Sequence, residues 1–250
     1  MLALLRENLP NTIIPTSDPN DPLNKIGILL QEANRQQSAG HFGDAELSIA
    51  EAKRLAQGHT QALAEIDFFC ALSLLDQDKR VEGVEALAEM LIRYRVLFNT
   101  TEGRDLYELV QVQRAFSLVG LERKEEARPL LEEAITFQLD SEVRSDVHCH
   151  LGCCYFELSR YPEAREQFER ANAFEVSEEW QAAFHYCYGY TLYELKEFQR
   201  ANREFILCLQ SKSSGPEESL RYGMLAATSR KLGEHSEARS YDEKAKALRR

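Results

Sequence analysis

Leu151-Gly-Cys-Cys-Tyr-Phe-Glu-Leu-Ser-Arg-Tyr-Pro-Glu-Ala-Arg-Glu-Gln-Phe-Glu-Arg-Ala171 contains two apolar runs at helical spacing with a break between them. Leu151, Tyr155 and Leu158 form the first run, and Ala164, Phe168 and Ala171 the second. Apolar residues three or four apart fall on one face of a helix, so each run reads as a helix that hides that face. Ser159-Arg-Tyr-Pro162 separates the runs, and Pro162 suits a first helical turn, where its missing N–H is no loss. With Ala164 as an anchor, the pattern returns 37 residues on at Ala201 and 37 further at Ala238. Backward it recurs at Ala127, Gly83 and Ala45, after intervals of 37, 44 and 38 residues.

Three columns flank the six anchors. Twelve residues before them stand Ala33, Ala71, Ala115, Gly152, Gly189 and Ala226. Four residues after stand Ile49, Leu87, Leu131, Phe168 and Phe205, with Asp242 the one polar departure. Seven residues after stand Ala52, Met90, Ala134, Ala171, Cys208 and Ala245. Small residues at such positions let two helices approach to packing distance. Each copy is therefore a helical hairpin that cannot bury its apolar face alone and must stack on its neighbours. The spacing predicts approximate repeats at 26–59, 60–98, 104–140, 141–176, 177–214 and 215–250, after a proline-rich arm at 1–25. The 44-residue interval predicts an insertion around Asn99-Thr-Thr-Glu-Gly103.

The fourth copy resembles the tetratricopeptide repeat family: Leu151-Gly152, Tyr155, Ala164, Phe168 and Ala171 coincide with that family's Leu-Gly…Tyr…Ala…Phe…Ala skeleton. The fifth copy keeps Gly189, Ala201 and Phe205, while the family's Trp position holds His148 and His185. The resemblance implies an all-α, right-handed α-solenoid of six hairpins acting as a non-catalytic scaffold or adaptor. It also implies that the first helix of each hairpin lines a concave surface. The inferred partner groove is then Phe68, Leu72, Val112, Phe116, Cys149, Cys153, Phe156, Tyr186, Tyr190 and Tyr193, apolar and aromatic in its middle. Core packing is the competing reading for its Phe and Leu members, while three buried tyrosine hydroxyls would each need a partner. At the matching positions only Asn34 stands where carboxylate-clamping members of the family use Lys and Asn, so a terminal carboxylate is not the expected ligand.

Composition narrows the partner. With 30 Lys and Arg against 41 Asp and Glu, the net charge is −11, which argues against a nucleic-acid partner. An amphipathic helix or extended apolar segment of a protein or peptide, carrying basic flanks, fits such a surface. A chaperone-like holder of an apolar client would use the same groove, and self-association through the apolar residues of the arm is a further expectation. No apolar run reaches the roughly 20 residues a membrane span needs, and the six cysteines show no disulfide framework. The expected compartment is the cytoplasm.

His148-Cys149-His150-Leu151-Gly152-Cys153-Cys154 is the richest chemical cluster. Cys149/Cys153 and His150/Cys154 are pairs four apart, but a structural zinc needs four ligands, so His185, Cys187 or Cys208 would have to complete it. Cysteine is also a small apolar residue suited to close helix packing. The cluster is read that way, with no metal, no cofactor and no catalytic residue assigned. A thiol nucleophile is set aside because the sequence shows no activating environment in mid-helix.

Overall fold

The computed structural model describes residues 21–171, 176–178, 180–212 and 217–249, so most of the arm at 1–25 lies outside it. Thirteen helices and no strand occur among the described residues. They are α1 Pro22–Ser38, α2 Phe42–Leu55, α3 Thr60–Asp76, α4 Arg80–Arg93, α5 Arg95–Phe98, α6 Thr101–Gly120 and α7 Lys124–Ala134. The series continues with α8 Ser141–Glu157, α9 Tyr161–Arg170, α10 Gln181–Glu194, α11 Phe198–Gln210, α12 Glu218–Leu232 and α13 His235–Leu248. The first helix starts at Pro22, inside the stretch assigned to the arm. Asp21 caps it by accepting from Leu23 N at 2.9 Å, and Pro22 occupies its first turn. The long interval is filled by the four-residue α5 and a lengthened α6, capped by Thr100, and Phe98 of this insertion is buried between Tyr94 and Tyr107.

The chain divides into two compact units, residues 1–122 and 123–250. In the first, α1 packs on α2 and α3 on α4, while α1 and α3, then α3 and α6, touch as successive first helices. In the second, α8–α9, α10–α11 and α12–α13 are the hairpins, and α8, α10 and α12 adjoin in turn. Ala45, Ala127, Ala164 and Ala201 have no exposed surface, and Ala238 has almost none.

The columns interlock. In the fourth and fifth copies the residue twelve before the anchor faces the residue four after it, and their sizes are complementary. Gly152 and Gly189 occur where the partner is Phe168 or Phe205: a Cβ on Gly152 would lie 2.7 Å from the Phe168 ring, and one on Gly189 2.9 Å from that of Phe205. Alanine stands twelve before the anchor in the copies that carry Ile49, Leu87 or Leu131 four after it. Asp242, the polar departure, pairs with Arg230 of α12 across the terminal hairpin.

A second regularity lies in the turns. Gly40, Asp78, Glu122, Ser159, Lys196 and Gly233 each stand five before an anchor, and all six have φ between 55° and 82°. The residue after closes the turn on the preceding helix, as in His41 N to Gln36 O at 2.8 Å and Glu197 N to Leu192 O at 2.8 Å. This satisfies carbonyls that the helix end leaves without a partner.

Candidate functional site

The ten groove residues divide into two groups. Phe68 and Leu72 have no exposed surface: they lie in the cluster that α3 shares with α4, α5 and α6, while Ile66 and Phe69 on its other side join the cluster of α1 and α2. Val112, Phe116 and Cys149 are buried as well. These five present no surface to a partner in this conformation. The physical reason is that α3 and α6 carry apolar residues on more than one face, so the side expected to be open is covered.

The other five stay half-buried in the second unit: Cys153 and Phe156 on α8, and Tyr186, Tyr190 and Tyr193 on α10. Phe156 meets Tyr190 edge-on, with ring centroids 5.4 Å apart and planes at 75°. Tyr186 and Tyr193 flank Tyr190, each at 6.4 Å. Tyr161 extends the ladder beyond Phe156, and Phe198 beyond Tyr193. Such a patch pairs flat apolar faces with hydroxyls at low entropy cost. Burial raises the phenol of Tyr186 above its ordinary value, and burial with the neighbouring Glu194 does the same for Tyr190. Both are neutral hydrogen-bonding groups at physiological pH.

Beneath the ladder lie three thiols. Cys153 neighbours Cys149, four residues back on α8, and Cys187 of α10. These two thiols hold the Cys153 thiol well below its ordinary range, while the nearby Cys153, with burial, pushes Cys149 and Cys187 up. Burial, with the neighbouring Cys153, pushes Cys154 to about 12. The sequence therefore hid an activating environment, because Cys187 arrives from another helix. Among the described residues, no group of three His, Cys, Asp or Glu side chains could hold a metal ion. The other candidate ligands point elsewhere: His148 Nδ1 meets Gln167 Oε1 at 2.9 Å, His150 Nδ1 meets Asp146 O at 2.7 Å, and Cys208 Sγ donates to Ala182 O at 3.2 Å.

His148 and His185, which stand where the resembled family has Trp, bond the second helix of their hairpins, His148 through Gln167 and His185 through Glu204 Oε2 at 2.8 Å. Beside His185 a cleft of about 570 Å³ opens over Phe168, Phe184 and Tyr188. Its one arginine, Arg200, is engaged by Glu169, Glu197 and the Tyr188 hydroxyl.

Residues 220–250 match the tetratricopeptide repeat family model. The matched copy is the sixth hairpin rather than the fourth. No curated protein matches the chain. Among solved structures, pilF of Pseudomonas aeruginosa is 18% identical, with 91% of this chain and 93% of that one covered at a TM-score of 0.66. A tetratricopeptide repeat protein from Parabacteroides merdae is 16% identical, covering 90% and 80% at 0.59. YrrB, described as a tetratricopeptide repeat protein with an unusual peptide-binding site, is 16% identical, covering 77% and 88% at 0.52. The fold is that of the tetratricopeptide repeat proteins, an all-α arrangement of stacked hairpins, and residues 220–250 carry the family's sequence pattern. Among the described residues no helix is long and apolar enough to cross a membrane.

Proposed function

We propose that this helical-repeat protein is a non-catalytic adaptor that takes a partner segment on the aromatic face of α8 and α10. Stacked hairpins of this kind are generally a protein-interaction fold, presenting extended surfaces without a catalytic constellation. The observation that carries the narrower reading is the ladder Phe156–Tyr190–Tyr186–Tyr193, which stays half-exposed where Phe68, Leu72 and Leu75 of α3 and Val112, Phe116 and Val119 of α6, at equivalent positions, are buried. Aromatic residues are the side chains on which binding energy concentrates at protein interfaces. Glu157 and Glu194, both exposed, stand at the ends of α8 and α10, and the whole chain carries −11. An amphipathic helix or extended apolar segment with Lys or Arg at its flanks complements both features.

Selection of binders from a library of amphipathic peptides with basic flanks tests this reading. Tyr190→Ala is expected to weaken the selected peptide at least about tenfold, the effect of losing about 1.4 kcal/mol at one anchor. Tyr222→Ala is the control, because Tyr222 stacks on Tyr241 of α13, away from the ladder. Equal affinity of wild type and Tyr190→Ala would refute the assignment.

A further inference from the structure

We propose that Cys153 and Cys187 form a peroxide-responsive disulfide site, in which Cys153 attacks a peroxide and Cys187 on the adjacent helix closes the bond. The placement of the two helices brings the pair together. The Phe156–Tyr190 contact sets α8 and α10 side by side, and three residues, about one helical turn, earlier on each helix stand Cys153 and Cys187. Both are half-buried and pack on the same apolar cluster, and each thiol is near enough to shift the other's titration. Cys149 is the poorer resolving thiol. It is wholly buried, and it lies one turn away on the same helix, where the Cβ vectors run alongside one another rather than converging.

The charged and titratable groups around Cys153 favour its thiolate. Besides the two neighbouring thiols, and against the burial that opposes them, His150 on the same face of α8 acts in this direction, as does the ammonium of Lys124 on α7, which bonds Glu157, one turn on from Cys153, at 2.9 Å. The thiolate, not the thiol, is the nucleophile. Cys153 sulfur attacks one oxygen of hydrogen peroxide, the S–O bond forms as the O–O bond breaks, and the departing hydroxide takes up a proton as water. The Cys187 sulfur then gives up its proton and attacks the sulfenic sulfur. The S–S bond forms, the S–O bond breaks and a second water leaves. Two thiols and one peroxide give one disulfide and two waters. The bond would tie α8 to α10 directly beneath the aromatic ladder.

The test treats the reduced full chain with equimolar hydrogen peroxide at pH 7, blocks remaining thiols by alkylation and maps sulfurs by peptide fragmentation. The expected product is a Cys153–Cys187 link that dithiothreitol reverses, with Cys154 and Cys208 remaining thiols. Cys187→Ser should leave Cys153 as a sulfenic acid, trapped by dimedone roughly tenfold faster than the similarly half-buried Cys70. Absence of any link in the wild type, or a link between Cys149 and Cys153, would overturn the proposal, as would trapping of Cys153 no faster than Cys70. The wild-type map stands by itself should the serine variant lose helical circular dichroism. No partner enters the experiment, so its outcome is independent of the adaptor reading.

Discussion

Replacing Gly152 with alanine sets two effects against each other. Gly152 sits within α8, where alanine is favoured over glycine by about 1 kcal/mol on helix propensity. Its new Cβ, however, would lie 2.7, 2.8 and 3.0 Å from three carbons of the Phe168 ring. Carbon atoms rest at about 3.5–4.0 Å, so the ring must retreat by roughly 1 Å. Phe168 cannot do so freely, since it packs edge-on against Phe184 at 5.6 Å and against Tyr188 at 5.5 Å. Overpacking of this kind costs about 1–3 kcal/mol, so Gly152→Ala is expected to destabilise by up to about 2 kcal/mol net. Phe168→Leu loses ring contacts on its own, but combining it with Gly152→Ala rebuilds the Ala/Leu combination that the second copy carries at Ala71 and Leu87, which share one core cluster. The double variant should therefore be more stable than the sum of the singles by about 1–2 kcal/mol. Gly223→Ala is the internal control: it lies in α12 with nothing within 4 Å of a Cβ, and should stabilise by about 1 kcal/mol. Urea unfolding followed by circular dichroism reads all four. Stabilisation by Gly152→Ala equal to that of Gly223→Ala, or strict additivity in the cycle, would refute size complementarity as the packing rule.

The turn register makes a graded prediction. Lys196→Gly and Glu122→Gly should each raise stability by about 0.5–1 kcal/mol in urea unfolding, because their backbones are left-handed without glycine's freedom. Asp78→Gly should gain less, since aspartate tolerates that conformation, and Gly233→Ala should lose about 1 kcal/mol. Asp67 of α3 tests the electrostatics of the first unit: it meets Lys53 at 2.7 Å, Arg93 at 2.8 Å and the Tyr94 hydroxyl at 2.7 Å. Burial would raise its carboxyl, but the bonds from Lys53 and Tyr94 outweigh it and hold the group below its ordinary 3.8. The unfolded chain thus takes up that proton first, so the contribution of Asp67 is present above about pH 4 and fades on further acidification. Asp67→Ala should cost roughly 1–3 kcal/mol at pH 7, with the gap to wild type narrowing below pH 4 in thermal melts. His148 acts in the same direction at higher pH: burial lowers its imidazole below the ordinary 6.5, so stability drains as pH falls through 6.5, and His148→Gln should flatten that part of the profile.

What was legible in the sequence followed from periodicity. Alanines and glycines at fixed offsets mark helix crossings because only small residues fit there, and all six anchors are found on a packed second helix. The turn signal was half visible. Gly40 and Gly233 carry it openly, whereas Asp78, Glu122, Ser159 and Lys196 occupy the same backbone state without the residue that advertises it. There the packing of two helices enforces a conformation that local preference resists. The pairing of Gly152 with Phe168 was present as two separate columns, and only their contact shows that each sets the size of the other. The Cys187 environment of Cys153 was not legible, since the two stand 34 positions apart with α9 between their helices, and nothing in the spacing tells which face of α10 meets α8.

The same limit explains why the predicted groove divides. Phe68, Phe116, Cys149 and Tyr186 occupy one register of their repeats or its immediate neighbours, and periodicity places them on the same side of the first helix. It does not say what lies across from that side. In α3 the remaining surface is itself apolar, with Ala62, Ile66 and Phe69 facing one way and Phe68, Leu72 and Leu75 the other, so neighbours cover both. In α10 the register is filled by tyrosines, and a phenol that keeps its hydroxyl near water cannot be sealed inside without a partner for it. None of Tyr186, Tyr190 and Tyr193 is fully buried, and none leaves a buried hydroxyl unsatisfied. Tyrosines at this register of α10 therefore keep partial exposure where Phe68 and Leu72 at the matching places of α3 are sealed, so the side-chain type, and not the hairpin alone, sets which positions stay open.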